Sequence, residues 1–267
     1  MLVTGGAGEL GRRVARDAAA NGWDVTVTRR SSTPSADVRS VEVDLRDRRA
    51  TADMVRDLDP EVVVHTAYDK SDNGPDSVTR AGTATIAAAT DARLLFTSTD
   101  VVFPGRPGVP YAEGDRPAPI QDYGRAKAAA EAGLAGRPST LIVRLSLLVD
   151  ADGGPQVELV RAAARGDATL FTDEIRCPTM TDDIAAALVE LADGDRTGYL
   201  HLGGPDALDR AELGRLLSSA AGVEPADLTI GPLPADAGRP ADVRLDSSLA
   251  ETLGLRPRSL REALSAR

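Results

Sequence analysis

The stretch MLVTGGAGELG, residues 1–11, decides the fold. Its first four residues read as a short strand, and Gly5, Gly8 and Gly11 follow at intervals of three, at the mouth of an alanine-rich helix. Each missing side chain has a use. Gly5 permits a tight turn, Gly8 lets the backbone approach a pyrophosphate, and Gly11 lets the helix pack against the strand. The free N–H groups of the helix start then face the anion. Glu9 and Leu10 complete the loop. A glycine pattern alone is weak. Its place in a strand–loop–helix unit makes it a dinucleotide loop.

Working outward, apolar runs alternate with helical stretches. "WDVTVT" and "VEVD" read as strands, then a helix ends near Asp57; "EVVVHTA" precedes a helix over 77–90, and "ARLLFTS" a helix over 122–136, before "TLIVRLSLLV". Near-continuous Val, Leu and Ile means strands covered on both faces, so the class is α/β, a Rossmann-type doubly wound parallel sheet. After Val149 the rhythm loosens, with helices expected at 155–165, 181–192 and 209–220 and two short ones at the end. The expected division is a cofactor domain over 1–148 and a smaller, partly interleaved substrate lobe over 149–267, with 177–203 returning to the sheet. Such a lobe would close over the carboxyl ends of the strands, where open parallel sheets bind ligands.

The chain of 267 residues is 42% hydrophobic and carries a formal net charge of -10, which argues against nucleic acid or an anionic membrane as the main partner. A single cysteine, Cys177, allows no internal disulfide, and no signal segment or apolar run of membrane-spanning length is present. A soluble, cytoplasmic protein is expected.

The end of the second strand selects the cofactor. An NAD site usually ends there in an acid that holds the ribose 2'-hydroxyl. Here the sequence is "TVTRRSS", and Arg29 and Arg30 with the two serines match a 2'-phosphate, so the expected cofactor is NADP(H). Asp44 and Leu45 would sit against the adenine. Thr66, Ala67 and Tyr68, from "HTAY", would pass under the dinucleotide.

The chemistry is expected in "QDYGRAKAAAE", residues 121–131. Reading the sequence through gives two lysines, Lys70 and Lys127, against 29 arginines. A Lys four residues after one of only four tyrosines is then a choice that chance supplies roughly 0.03 times. Positions i and i+4 share a helix face, so Tyr123 and Lys127 point the same way. One strand earlier Thr99 ends "LLFTSTD". A hydroxyl, a phenol and an ammonium suit carbonyl reduction: Tyr123 gives its proton to the developing alkoxide, Lys127 lowers the phenol's pKa and holds the ribose, and Thr99 bonds the substrate oxygen.

"TGGAGELG", "STDVVF" and "YGRAK" together resemble an extended short-chain dehydrogenase/reductase. "FTDEIRCPTMTDDIAAAL", "GYLHLGG" and "GRPADVRLDSSLAETLG" are similar to the sugar-nucleotide-binding part of the dTDP-4-dehydrorhamnose reductase family, over residues 1 to about 263. The resemblance implies NADPH-dependent reduction of a 4-keto group on a nucleotide-linked deoxysugar, with Thr99, Tyr123 and Lys127 as the catalytic set. It also places Arg176, Thr179 and Arg239 near the sugar nucleotide, beside Asp100 and Val101. Val101 stands where the family usually has an aromatic, Glu9 where Gln is common, and no Trp follows the strand arginine.

Other readings stay open: reductase of a different natural-product ketone, sugar-nucleotide epimerase, or a non-catalytic NADP-binding regulatory subunit. The partner is a small-molecule keto substrate, and a homodimer is left open. Of the two histidines, His65 is placed at the cofactor cleft and His201 in local packing, with no metal spacing around either. Cys177 reads as a wall residue.

Overall fold

The computed structural model describes residues 1–30, 38–69, 74–106 and 108–266. Its centre is one sheet made from the apolar runs: β1 (Leu2–Thr4), β2 (Thr26–Arg29), β3 (Arg39–Glu42), β4 (Val62–His65), β5 (Arg93–Thr99) and β6 (Thr140–Leu145). Together with a later strand at Gly198–Leu202, they pair in parallel in the order last strand, β6, β5, β4, β1, β2, β3. The order reverses between β1 and β4, and there the carboxyl ends open a crevice.

Both faces are covered, which is why the strands carry no polar alternation. Helix α1 (Glu9–Ala20) packs Val14, Ala15 and Ala18 on one face, joined there by Ile184 and Leu188 of a helix at Thr181–Asp193. On the other face lie α2 (Arg48–Leu58), α3 (Thr83–Ala89) and α4 (Asp122–Leu134), contributing Met54, Val55, Ile86, Ala130 and Leu134. The α/β doubly wound class is thus borne out.

The remainder builds a lobe with its own apolar centre. Its elements are β7 (Leu148–Val149), α5 (Gly154–Ala164), β8 (Leu170–Phe171), β9 (Ile175–Arg176) and β10 (Thr179–Met180), then, after α6 (Thr181–Asp193) and β11 (Gly198–Leu202), β12 (Leu208–Asp209), α7 (Arg210–Ala221) and β13 (Ile230–Gly231), and, after α8 (Ser248–Thr252), α9 (Leu260–Ser265). Val157, Val160, Leu170, Leu213, Leu217 and Leu260 meet there, while α6 and β11 belong to the sheet and α8 packs Ala250 into the sheet's core.

Three elements differ from expectation. "TLIVRLSLLV" is two strands, because Ser146 turns aside to bond Asp100 and the Cys177 N–H, and β7 pairs with β10 instead. β3 starts two residues early, aligned Thr26 to Arg39 on its neighbour. The helix before β5 opens as a π-turn over Val78–Gly82, which seats Gly82 where a Cβ would come within 3.1 Å of the Leu45 carbonyl.

Candidate active site

The glycine loop is as tight as its composition suggests. Gly5 takes φ +73°, and a Cβ there would lie 2.9 Å from the Ala67 Cα. A Cβ on Gly11 would come within 2.3 Å of the Gly5 carbonyl, so only glycine lets α1 start this close to β1. Gly8 caps α1 with no side-chain bond, leaving the helix start open for an anion. Glu9 stands at that start, but Arg12 and then Arg13 hold its carboxyl down to about 2. Gly5, Gly8, Glu9, Leu10 and Gly11 all line a cavity of about 610 Å³ over the carboxyl ends of the strands.

Further along the cleft the placements diverge. Thr66 and Tyr68 line the cavity, whereas Ala67 packs against Gly5. Leu45 is buried beside Gly82, and the Asp44 carboxylate bonds the Arg46 guanidinium at 2.6 Å. Arg29 is drawn across to Glu42 of β3 at 2.6 Å, and Arg30 stands 3.8 Å from Asp69. None of Arg29, Arg30, Asp44 and Leu45 lines the cavity itself. The two serines expected to join the arginines, Ser31 and Ser32, lie outside the described residues, as does Lys70.

Thr99, Tyr123 and Lys127 come together on one wall. Thr99 ends β5, its hydroxyl accepting from the Val101 N–H and donating to Asp100 Oδ1 at 3.2 Å. Tyr123 tilts against Tyr68, ring centroids 5.7 Å apart. Lys127 is buried: its Nζ donates to the Thr97 carbonyl at 2.7 Å and lies over the Phe96 ring, 4.6 Å from its centre. Burial draws the lysine down to about 7, with Glu131 acting against it. Burial, then Tyr68 and Asp100, push the Tyr123 phenol above the ordinary tyrosine value. The expected lowering of that phenol by Lys127 is therefore not what the protein's own groups produce.

Opposite stands a charged wall. Glu174 is wholly buried and its Oε1 is shared by three guanidiniums, Arg239 at 2.8 Å, Arg210 at 2.9 Å and Arg176 at 3.2 Å. Arg176, Arg210 and Arg239 all line the cavity, with Asp100 and Val101 at the near end. Asp100 accepts from Ser146 at 2.7 Å, and its carboxyl is pushed up by burial although Arg176 opposes this. Thr179 corrects an expectation. It is fully buried and does not reach the cavity; its hydroxyl is turned to the Cys177 carbonyl, while Thr181 lines the wall. Arg210, Gln156 and Ser146 are lining residues that sequence reasoning missed. Arg210 follows the capping Asp209 at the start of α7, and nothing local marks it as part of a site.

His65 corrects another expectation. It does not line the cavity but is buried in a polar chain, bonded to Thr4 Oγ1 at 2.5 Å and Thr83 Oγ1 at 2.8 Å, and burial holds it down to about 3. His201 bonds the Tyr111 carbonyl at 3.0 Å. Burial pushes the Cys177 thiol up to about 11, against a nucleophilic role. Among the described residues no group of three or more His, Cys, Asp or Glu could hold a metal, and no helix is long and apolar enough to cross a membrane.

Known proteins resemble this chain over most of its length. A probable low-salt glycan biosynthesis reductase of Haloferax volcanii is 32% identical over 90% of this chain and 86% of its own. A dTDP-4-dehydrorhamnose reductase of Mycolicibacterium smegmatis is 31% identical over 99% and 83%. Methionine adenosyltransferase 2 subunit beta of Pongo abelii is 29% identical over 97% and 84%. Among solved structures, a hypothetical dTDP-4-dehydrorhamnose reductase from Sulfolobus tokodaii superposes with TM-score 0.81 at 25% identity, covering 94% of this chain and 93% of that one. The family described as the RmlD substrate binding domain matches residues 1–267, and the chain belongs to it.

Proposed function

We propose that the chain is an NADPH-dependent carbonyl reductase whose substrate is the 4-keto group of a nucleotide-linked deoxysugar. One observation carries the reading: the glycine loop, the set Thr99, Tyr123 and Lys127, and the three arginines on Glu174 all open on the same cavity of about 610 Å³.

The loop fits a dinucleotide, since a Cβ on Gly5 or Gly11 would strike backbone and the α1 start carries no side-chain cap. Arg30 and Arg29 stand at the end of β2 for a 2'-phosphate. Bound NADPH supplies the hydride. Tyr123 releases its proton to the oxygen of the substrate carbonyl, and Thr99 holds that oxygen with a hydrogen bond. Lys127 uses one of its three N–H donors on Thr97, leaving two for a ribose hydroxyl and the phenol. The three guanidiniums exceed the charge of Glu174, so they attract an anion, and a diphosphate between sugar and base has the oxygens they need.

A panel of nucleotide-linked 4-keto-6-deoxysugars and unrelated ketones, each with NADPH or NADH, tests this by absorbance. Cofactor consumption that disappears in Tyr123→Phe supports it. If no ketone draws down either cofactor, the proposal fails. Retention of the dinucleotide without turnover is the second reading, that of a non-catalytic subunit, suggested by the likeness to a protein named as a subunit, methionine adenosyltransferase 2 subunit beta, and that outcome would select it.

A further inference from the structure

Behind the wall of Tyr123 and Lys127 lies a buried set of charges that proton delivery to a carbonyl does not itself require. Helix α4 carries Lys127 and, one turn on, Glu131, both buried on the face turned to the sheet. Strand β5 anchors them at adjacent residues: Lys127 Nζ donates to the Thr97 carbonyl at 2.7 Å, and Ser98 Oγ donates to Glu131 Oε1 at 2.5 Å. From β6, Arg144 closes on both carboxylate oxygens, at 2.8 Å and 3.1 Å. Such a buried pair is weak grounds for a stability role, because apolar side chains of similar volume often serve as well. Its position one helical turn from Lys127 offers another role.

We propose that Glu131 is a positioning residue for the reaction: fixed by Ser98 and Arg144, its carboxylate keeps Lys127 as an ammonium beside Tyr123. This rests on the reading of Tyr123 and Lys127 given above. Lys127 shares its helix face and the cavity wall with Tyr123, and is faced by the rings of Phe96 and Tyr68 and by neutral His65 of β4. Glu131 is faced by Ser98 and Arg144 and by Tyr199 of β11, over whose ring Arg144 lies. Beyond Arg144 stand His201, 3.3 Å from Nη1, and the Glu113 carbonyl. Glu131 is the group in this set whose charge favours the ammonium, and burial opposes it, which leaves the lysine near 7. Without the carboxylate the lysine falls further. Mere loosening of the packing would admit water and move it the other way, toward about 10.4.

The composition makes the measurement simple, since the chain has two lysines. Protein carrying ¹³C at lysine Cε gives two titrating signals by NMR, and Lys70→Arg assigns them. In the wild type the Lys127 midpoint is expected near 7. In Glu131→Gln it falls by a unit or more, roughly a tenfold loss of proton affinity. In Glu131→Gln with Arg144→Met, which leaves no unpaired buried charge, it falls by less. The alkaline limb of NADPH oxidation against pH shifts to lower pH with it, so that activity lost at neutral pH returns in mild acid. A midpoint unchanged or raised in the double variant, a rate loss uniform with pH, or a wild-type midpoint at the ordinary lysine value overturns the proposal. The midpoints involve no substrate. Undiminished turnover in Tyr123→Phe would instead remove the reductase reading and leave the charge coupling measured.

Discussion

Arg239 grips Glu174 with two parallel hydrogen bonds, Nε to Oε2 at 3.0 Å and Nη2 to Oε1 at 2.8 Å, so a partly exposed guanidinium on the cavity wall is fixed to a carboxylate with no exposure at all. An arginine held this way presents its remaining donors in a set direction. Arg239→Lys keeps the charge and loses the fork. The expected result is a KM for the sugar nucleotide raised about tenfold, the cost of roughly one charge-assisted bond, with kcat little changed. Steady-state kinetics on the best substrate of the panel measures it; an unchanged KM would remove Arg239 from the binding wall.

Glu174 itself is expected to matter for stability. Burial acts to raise its carboxyl, but Arg239, Arg210 and Arg176 outweigh that and leave it below the usual value. Glu174→Gln strands buried positive charge, at a cost of about 3–5 kcal/mol. That is a fall of roughly 6–20 °C in Tm for a chain of this size, read by thermal melting. A carboxylate depressed in the folded state stabilises above its unfolded pKa of about 4.3, and this is lost as pH falls through the folded value. The gap between wild type and variant should accordingly close in acid.

Gly11→Ala places a methyl group 2.3 Å from the Gly5 carbonyl, against backbone rather than a movable side chain. The strain, about 1–3 kcal/mol, falls on the loop expected to hold the pyrophosphate. NADPH affinity, followed by the fluorescence of the bound nicotinamide, should weaken at least about tenfold. Gly22→Ala is the control. A Cβ there meets nothing within 4 Å, although its φ of +87° carries backbone strain of its own.

The choice of cofactor should depend on Arg30 more than on Arg29. Arg29 is engaged by Glu42 at 2.6 Å, whereas the carboxylate near Arg30 stands 3.8 Å away. Arg30→Ala is expected to raise the KM for NADPH about tenfold and leave NADH nearly unchanged, consistent with the loss of one phosphate contact. Preference for NADH in the wild type would overturn the role of both arginines.

What was legible in the sequence was what local geometry encodes. Gly5 and Gly11 announce a turn and a close backbone approach that a larger residue would block, and the spacing of Tyr123 and Lys127 is the period of a helix. Both landed on one cavity. What escaped depended on distant partners. Arg210 reaches Glu174 across 36 residues, and neither residue's neighbours hint at the other. Lys127 is anchored by a backbone carbonyl, a group present at every position. His65 looked like a cleft residue because a strand end is where clefts form, yet Thr4 and Thr83 enclose it. Thr179 failed for the opposite reason: its neighbourhood lines the wall, and its own side chain turns inward to Cys177.

The path of the chain has a practical consequence. It leaves the sheet after β6, returns for α6 and β11, leaves again for β12 and α7, and comes back for α8 before ending in the lobe with α9, so the sheet and the lobe are stitched by five crossings. A donor lobe with different specificity cannot be grafted at one junction. Recombination at a single point, wherever placed beyond residue 145, would give a hybrid with one parent's anchors and the other's edge strand or cap. Exchange of specificity in this scaffold therefore calls for changes at individual wall positions such as Gln156, Arg210 and Arg239 rather than for transplanted segments.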